Sequence, residues 1–420
     1  MMELSRFVGD FTLLDHPVDH KDGTNGMIGM VSRGVSSQWL FQRSPLNTLG
    51  RTVALFEQTP YPEDAPCRVL TKGWQERLLG ASITEYCSAA FLMHSLAVQG
   101  LPYPFGLPTQ DLPLFADKDD EESFHRIAHR SFLATIEEFQ RPIPRLAEAA
   151  EQWQVPEFDL EPWGFNALQD RPFVGGMSDG HWIAPCAPIV LQKASSPSIA
   201  YAGLAKFKND FTYELGYLFQ AYIGRHLRLI RGAVVHPEIH FRPSNQSVDW
   251  VLVTPTATFL IECKSAFPSA DVREGRATLV EAHQKVIGRG IDQINRTAAR
   301  IREARPEFAD IPADRPLIGL VITLGDYDLA NNELLRSQLT AAQVPTAGIS
   351  SEFLERAVGH PAPVWDHVAK IATSSVSASN VFEPRHLLDA YPATRRNAII
   401  DAAYELLPIV QSLGSRGLPS

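Results

Sequence analysis

The stretch SVDWVLVTPTATFLIECKSA, residues 247 to 266, constrains the chain more than any other. Two apolar runs, at 250–253 and 258–264, flank Thr254-Pro255-Thr256-Ala257, a group suited to a turn. The pattern predicts a β-hairpin. With the turn centred between Pro255 and Thr256, Asp249 falls opposite Glu262, their Cβ atoms about 4.5–5.5 Å apart. Alternation puts Glu262 and Lys264 on one face and Phe259, Ile261 and Cys263 on the other. A strongly apolar hairpin therefore carries three ionisable groups at one end.

Two facing carboxylates repel each other, and the residues alone leave two readings open. In one, a divalent cation lies between them. A small set of hard oxygen ligands suits Mg²⁺, which keeps several waters and accepts phosphate oxygens as further ligands. Lys264 beside such a site would orient or deprotonate an attacking water, or stabilise charge on a phosphate. In the other, Glu262 and Lys264 are ordinary solvent-face residues of a strand.

The rest of the chain gives this hairpin a setting. From about 73 to 165 the signal is mostly helical. Ala81–Gln99 reads as a mostly buried helix stopped by Gly100, and the acidic run Asp117–Glu122 opens a second helix to about Gln140, ended by Pro142 and Pro144. Residues 170–193 read as a hairpin turning at Ser178-Asp179-Gly180. A helix over Phe211–Leu229 brings Phe211, Leu215, Leu218, Tyr222 and His226 to one face. The strand AVVHPEIHF precedes the central hairpin. A long helix over about Leu279–Ala304, the buried strand PLIGLVITLG, a strand and helix over Thr346–Val358, and helices from Val364 to Leu413 follow. The expectation is an α/β chain: a mostly helical region at 1–165, a hairpin-containing connector at 166–205, a mixed-sheet core at 206–360 and C-terminal helices at 361–420.

Composition excludes some classes. The 420 residues carry 48 acidic and 38 basic side chains, a formal charge of -10, so this is no indiscriminate nucleic-acid coat. The four cysteines, Cys67, Cys87, Cys186 and Cys263, form no C-x-x-C pair and argue against a zinc ribbon or redox motif. No G-x-x-x-x-G-K-[ST] loop is present, and no uninterrupted apolar run reaches the ~18 residues of a membrane span. With no signal-peptide pattern, the expected setting is the cytoplasm, away from the membrane.

The sequence VDWVLVTPTATFLIECKSA resembles the core of the PD-(D/E)xK, or restriction-endonuclease-like, nuclease superfamily: an acid on one strand, a loop, then (D/E)-x-K on the next. Asp249 matches the first acid, Glu262 the second and Lys264 the lysine. The likeness covers about 206–350. ELGYLFQAYIGRHL resembles the family's first core helix, and GRGIDQINRTAARI the helix that often turns a glutamine, here Gln293, toward the active site. It implies a restriction-endonuclease-like core and cleavage of nucleic acid, DNA before RNA, with Mg²⁺, for which Mn²⁺ substitutes. The pattern also departs from the family. Val248 stands where proline is common. Where relatives carry a helix carboxylate the spacing gives Gln220, with Glu214 nearby but out of phase.

Other residues can be added to this site. Glu238 is a possible third metal carboxylate if its strand borders the hairpin; a solvent-facing or capping role is the alternative. His236 and His240 share its face, but about 13 Å of strand rise keeps them from one metal. Lys285, Arg289, Gln293, Arg296 and Arg300 recur at spacings of 4, 4, 3 and 4 and define one helical stripe. The stripe reads either as a track for a phosphate backbone or as a plain solvated face. His125 and His129, four apart with Glu122 before them, lack a second ligand cluster and read as structural. Cys263 reads as core packing and not as a nucleophile.

The function expected is thus a Mg²⁺-dependent endodeoxyribonuclease, by family analogy in restriction or anti-phage defence, either as a homodimer or with a partner protein of such a system. Two alternatives stand beside it: a catalytically weak nuclease-fold scaffold subunit of a larger defence complex, and a structure-selective repair or junction nuclease.

Overall fold

The computed structural model describes residues 28–29, 31–32, 44–104, 115, 117–140, 167–178, 180–242, 245–273, 278–361, 363–374, 377–391 and 393–414. The chain is α/β and forms two compact units, one of residues 37–215 with 398–420, the other of residues 1–36 with 216–397.

In the first of these, helices α1 (Pro45–Phe56), α2 (Ile83–Val98) and α3 (Lys118–Ser131) accompany a small sheet. Helix α2 starts where the sequence says it should. Ser82 and Glu85 form a reciprocal capping box, and Gly100, at φ +66°, follows the C-cap. Its residues Ile83, Tyr86, Cys87, Ala90, Met93 and Leu96 are all buried, so this helix is the centre of the unit.

Helix α3 is capped by Asp117, whose carboxylate accepts from the Asp120 amide at 3.0 Å, but it stops at Ser131 and does not run to Gln140. Residues Leu133–Thr135 leave it as strand β1, parallel to β2 (Phe173–Ser178), and a separate short helix covers Ile136–Gln140. A second capping box makes the restart. Glu138 accepts from the Thr135 amide at 2.7 Å, and the Glu138 amide donates to Thr135 Oγ1 at 3.2 Å. Pro142, Pro144 and Asp179 lie outside the described residues. The expected hairpin pairs β2 with β3 (His181–Ile183), but Ala187–Gln192 is a helix, with proline in its first turn.

Helix α4 spans Ser196–Leu227, interrupted at Lys208 (φ +60°); residues 216–227 of it belong to the second unit. The five residues expected on its apolar face are all buried.

The second unit is organised by a five-stranded mixed sheet. Its strands are β4 (Val234–Pro237), β7 (Trp250–Val253), β8 (Thr258–Lys264), β9 (Leu317–Thr323) and β10 (Thr346–Ser350), in the order β10-β9-β8-β7-β4. β7 pairs antiparallel with both β4 and β8; β8, β9 and β10 run parallel. A side ribbon pairs β5 (His240–Arg242) with β6 (Asn245–Gln246). The sequence AVVHPEIHF is therefore not one strand. β4 ends at Pro237, which has no amide to continue a ladder.

The long helix expected over 279–304 is broken into α5 (Leu279–His283), a π-turn (Gln284–Gly288) and α6 (Arg289–Arg302). Ile287, Ile291, Ile294, Ala298 and Ile301 pack with Val251, Val253, Leu260 and Val321 in one core cluster, which places α6 on one face of the sheet. On the other face Phe259 meets Trp365 of α8 (Pro363–Ser374) edge-on at 5.3 Å, and the indole of Trp250 lies over Gly224 of α4. Between these in sequence, α7 (Ser351–Ala357) follows β10 directly.

The β10 edge is closed from within the unit. Asn331 donates to the Gly348 carbonyl at 2.9 Å and accepts its amide at 2.7 Å, and the Thr346 amide donates to Asn380 at 2.8 Å.

Arg336 is a buried cation of this unit with incomplete hydrogen bonding. Among the described residues its Nε and Nη2 have no hydrogen-bond partner. Burial pushes its pKa down to about 10. Its Nη1 donates to Ala330 O at 3.5 Å and the Glu333 charge favours the cation, but both are weaker than its burial. A buried cation so incompletely satisfied is costly, so Arg336→Met is expected to stabilise the protein by about 1–2 kcal/mol. The urea midpoint measures this, and an unchanged or lower midpoint counts against the argument.

Candidate active site

The central hairpin has the register its sequence predicts. Trp250 pairs with Ile261, Val251 with Leu260, Leu252 with Phe259 and Val253 with Thr258. Thr254 closes the turn, its amide and hydroxyl both donating to Ala257 O, at 2.9 and 3.0 Å. One step beyond the last pair, Asp249 stands opposite Glu262. On the other side Pro237 pairs with Trp250, so the next step sets Glu238 opposite Asp249. Extending the register one step past the ends of β4 and β7 thus lines Glu238 and Asp249 up with Glu262 of β8, at the end of the sheet where β8 finishes in Lys264.

Their contacts are specific. Lys264 Nζ donates to Glu262 Oε1 at 2.6 Å, and the Cys263 amide donates to Asp249 Oδ2 at 2.6 Å. Glu238 Oε2 lies 3.6 Å from His240 Nε2. Burial raises all three carboxyl pKa values. For Glu262 the Asp249 charge adds to it; for Asp249 the Cys263 amide and Lys264 act against it. Glu238 is pushed up to about 7 by burial and then by Glu262. Burial works to lower the Lys264 pKa, but Glu262 and Asp249 outweigh it and the ammonium is held. The half-buried Cys263 thiol is held protonated well above its ordinary range by burial and by Asp249, which disfavours the thiolate a nucleophile needs.

The donors suit a hard divalent cation: the buried Glu262 and the half-buried Asp249, adjacent carboxylates that disfavour their joint ionisation, beside one cation already paired. Among the described residues, no three His, Cys, Asp or Glu side chains are gathered closely enough to hold a metal ion. Glu238 shares the row, but two strand spacings, about 10 Å of backbone, separate it from Glu262.

The other expected site residues are placed as follows. Gln293 does not point its amide at the carboxylates. Its Nε2 donates to the carbonyls of Gln246 (3.2 Å) and Ser247 (2.7 Å), and Arg296 donates to its Oε1. Lys285, Arg289 and Arg296 are exposed, although the π-turn interrupts the simple helical stripe. Arg300 is engaged elsewhere, over the Phe241 ring at 4.0 Å and 3.7 Å from Glu307. Glu214 is buried and accepts the amides of Arg68, Val69 and Leu70 at 2.5–3.0 Å, so it has another task. The Gln220 carbonyl accepts from Trp250 Nε1 at 3.0 Å. His125 bonds Tyr103 OH at 2.7 Å, and His129 packs edge-on against Trp182, which is the structural reading of that pair.

Two residues that sequence reading does not single out also touch this region. Thr297 Oγ1 accepts from the Val248 amide at 3.0 Å, and Ser247 Oγ accepts from Ile239 at 2.8 Å. The only available signal was the four-residue spacing of Thr297 from Gln293. Comparison with known proteins adds no further identification: no family model, no curated protein and no solved structure matches the chain.

Proposed function

We propose that the chain is a metal-dependent nuclease that hydrolyses phosphodiester bonds of DNA, with a catalytic core of the PD-(D/E)xK type within residues 216–397. One observation carries the reading: Asp249, one step before β7, continues the hairpin register to Glu262 and accepts the neighbouring Cys263 amide at 2.6 Å, with Lys264 paired to Glu262 at 2.6 Å. A purely structural hairpin end gains little from burying two acids whose ionisation is opposed by burial and by each other. Mg²⁺ or Mn²⁺ would be held by Asp249 and Glu262, with Glu238 adding negative field from the next strand. When bound, such an ion supplies Lewis-acid charge and lowers the pKa of water near the phosphate. Lys264 Nζ, fixed by Glu262, orients the attacking water or bears on the charge of a phosphate oxygen. Exposed Lys285, Arg289 and Arg296 offer phosphate contacts without sequence readout. A place in restriction or anti-phage defence follows from the family likeness alone.

One observation favours a second reading. With Glu214 committed to the 68–70 backbone and Gln220 neutral, the carboxylate row lacks a helix acid. A weakly catalytic scaffold subunit would tolerate that.

The deciding experiment incubates supercoiled plasmid, linear duplex and single-stranded DNA with the protein in Mg²⁺, Mn²⁺ or EDTA, beside Lys264→Ala. Cleavage that needs the metal and disappears in the variant is expected. A folded protein that cuts none of these substrates in either metal would turn the balance to the scaffold.

A further inference from the structure

The segment that delivers Asp249 is held by a helix that contributes no carboxylate. Asp249 lies before the first paired residue of β7, so the ladder does not fix it. Five hydrogen bonds do so instead. Gln293, in the second turn of α6, donates to the carbonyls of Gln246 and Ser247. Thr297, four residues on and on the same face, accepts the Val248 amide. Ser247 ties the same segment to Ile239, between Glu238 and His240, through its hydroxyl at 2.8 Å and its own amide at 3.1 Å. Thr297, Ser247 and Val248 are each at most 1% exposed, so water cannot replace these partners.

We infer that Thr297, with Gln293, is a positioning residue. The pair anchors residues 246–248 to α6 and so sets where the Asp249 carboxylate stands against the Cys263 amide and Glu262. The functional part of this rests on the nuclease reading above. The geometric part does not. Outer partners of metal-binding carboxylates typically change metal affinity or activity by about 10–100-fold when removed. Thr297 is too buried to touch DNA, so its loss should act on metal binding and kcat, leaving KM for DNA within about twofold.

The test compares wild type, Thr297→Val, Thr297→Ser and Gln293→Ala. In EDTA, amide hydrogen exchange is followed at Cys263, whose N–H donates to Asp249 Oδ2, with Leu320 of β9 as an internal reference. Thr297→Val should lose about tenfold or more of Cys263 protection relative to Leu320. Gln293→Ala should lose less, and Thr297→Ser, which keeps the hydroxyl, should stay near wild type. Equal Cys263 protection in all four proteins would overturn the positioning role, whatever their overall stability. If Thr297→Val fails to fold, Gln293→Ala decides alone.

Mn²⁺ binding by calorimetry and cleavage kinetics are then measured on the same proteins. Weaker Mn²⁺ binding and lower kcat with KM unchanged are expected for Thr297→Val. A wild type that neither binds Mn²⁺ nor cuts would sink the nuclease reading, and the exchange data would still decide the anchoring.

Discussion

Glu262→Gln is expected to abolish cleavage and yet make the metal-free protein more stable above neutral pH. The loss of activity follows from removing one of two carboxylates proposed to hold the ion, which supplies several kcal/mol of charge stabilisation; the rate should fall about a thousandfold or more. The gain in stability follows from the raised pKa of Glu262, caused by burial and by Asp249. A carboxyl whose folded pKa lies above its unfolded value binds a proton in the native state that the unfolded chain releases. Stability therefore falls as pH rises from the unfolded value, 4.5, toward the folded one, about 8. The Lys264 pKa is raised from 10.5, so its contribution is fully present throughout that window. In EDTA at pH 8, Glu262→Gln should be about 2 kcal/mol more stable than wild type, and at pH 5 nearly equal to it. Mn²⁺ should raise the melting temperature of the wild type and leave the variant unmoved. A variant destabilised at pH 8 would mean that the Lys264 ion pair outweighs the acid repulsion.

Gly224→Ala is expected to cost about 2 kcal/mol or more, although alanine is the better helix former. A Cβ at Gly224 would lie 2.2 Å from Cζ2 of Trp250, and the indole cannot swing away without losing its hydrogen bond to Gln220 O at 3.0 Å. Overpacking of this kind costs about 1–3 kcal/mol and at times more, against a helix gain of about 1 kcal/mol. Because Trp250 adjoins Asp249, the strain should reach the site. Trp250→Phe in the Gly224→Ala background should restore part of the loss. A double variant no more stable than Gly224→Ala, in denaturant unfolding, would show that the clash lies elsewhere.

The site's core was legible because its determinants are local. A proline-containing turn and strict alternation fix a hairpin register, and the register alone brings Asp249 to Glu262. The buried strand at 317–323 and the strand–helix step at 346–357 were readable for the same reason. What sequence could not supply was long-range partnership. Leu133–Thr135 becomes a strand only because Phe173–Gly175 lies beside it. Glu214 was a candidate ligand until its acceptors proved to bind amides about 145 residues earlier. Gln293 carries the residue type of an active-site glutamine, but the carbonyls it meets belong to residues 46 and 47 positions away. Helical periodicity does not foretell a π-turn, and the stripe of Lys285, Arg289, Arg296 and Arg300 loses its last member to Phe241 and Glu307.

The way Asn331 meets Gly348 bears on how the protein behaves in a crowded solution. A side-chain amide presents one donor and one acceptor side by side, as a neighbouring strand would, and it occupies the groups through which β10 would otherwise recruit a strand from another molecule. At the opposite edge Pro237 withholds a donor from β4. A folded sheet guarded at both margins resists fibrillar self-association, so Asn331→Leu would show its defect first in the aggregate fraction and only later in the melting curve.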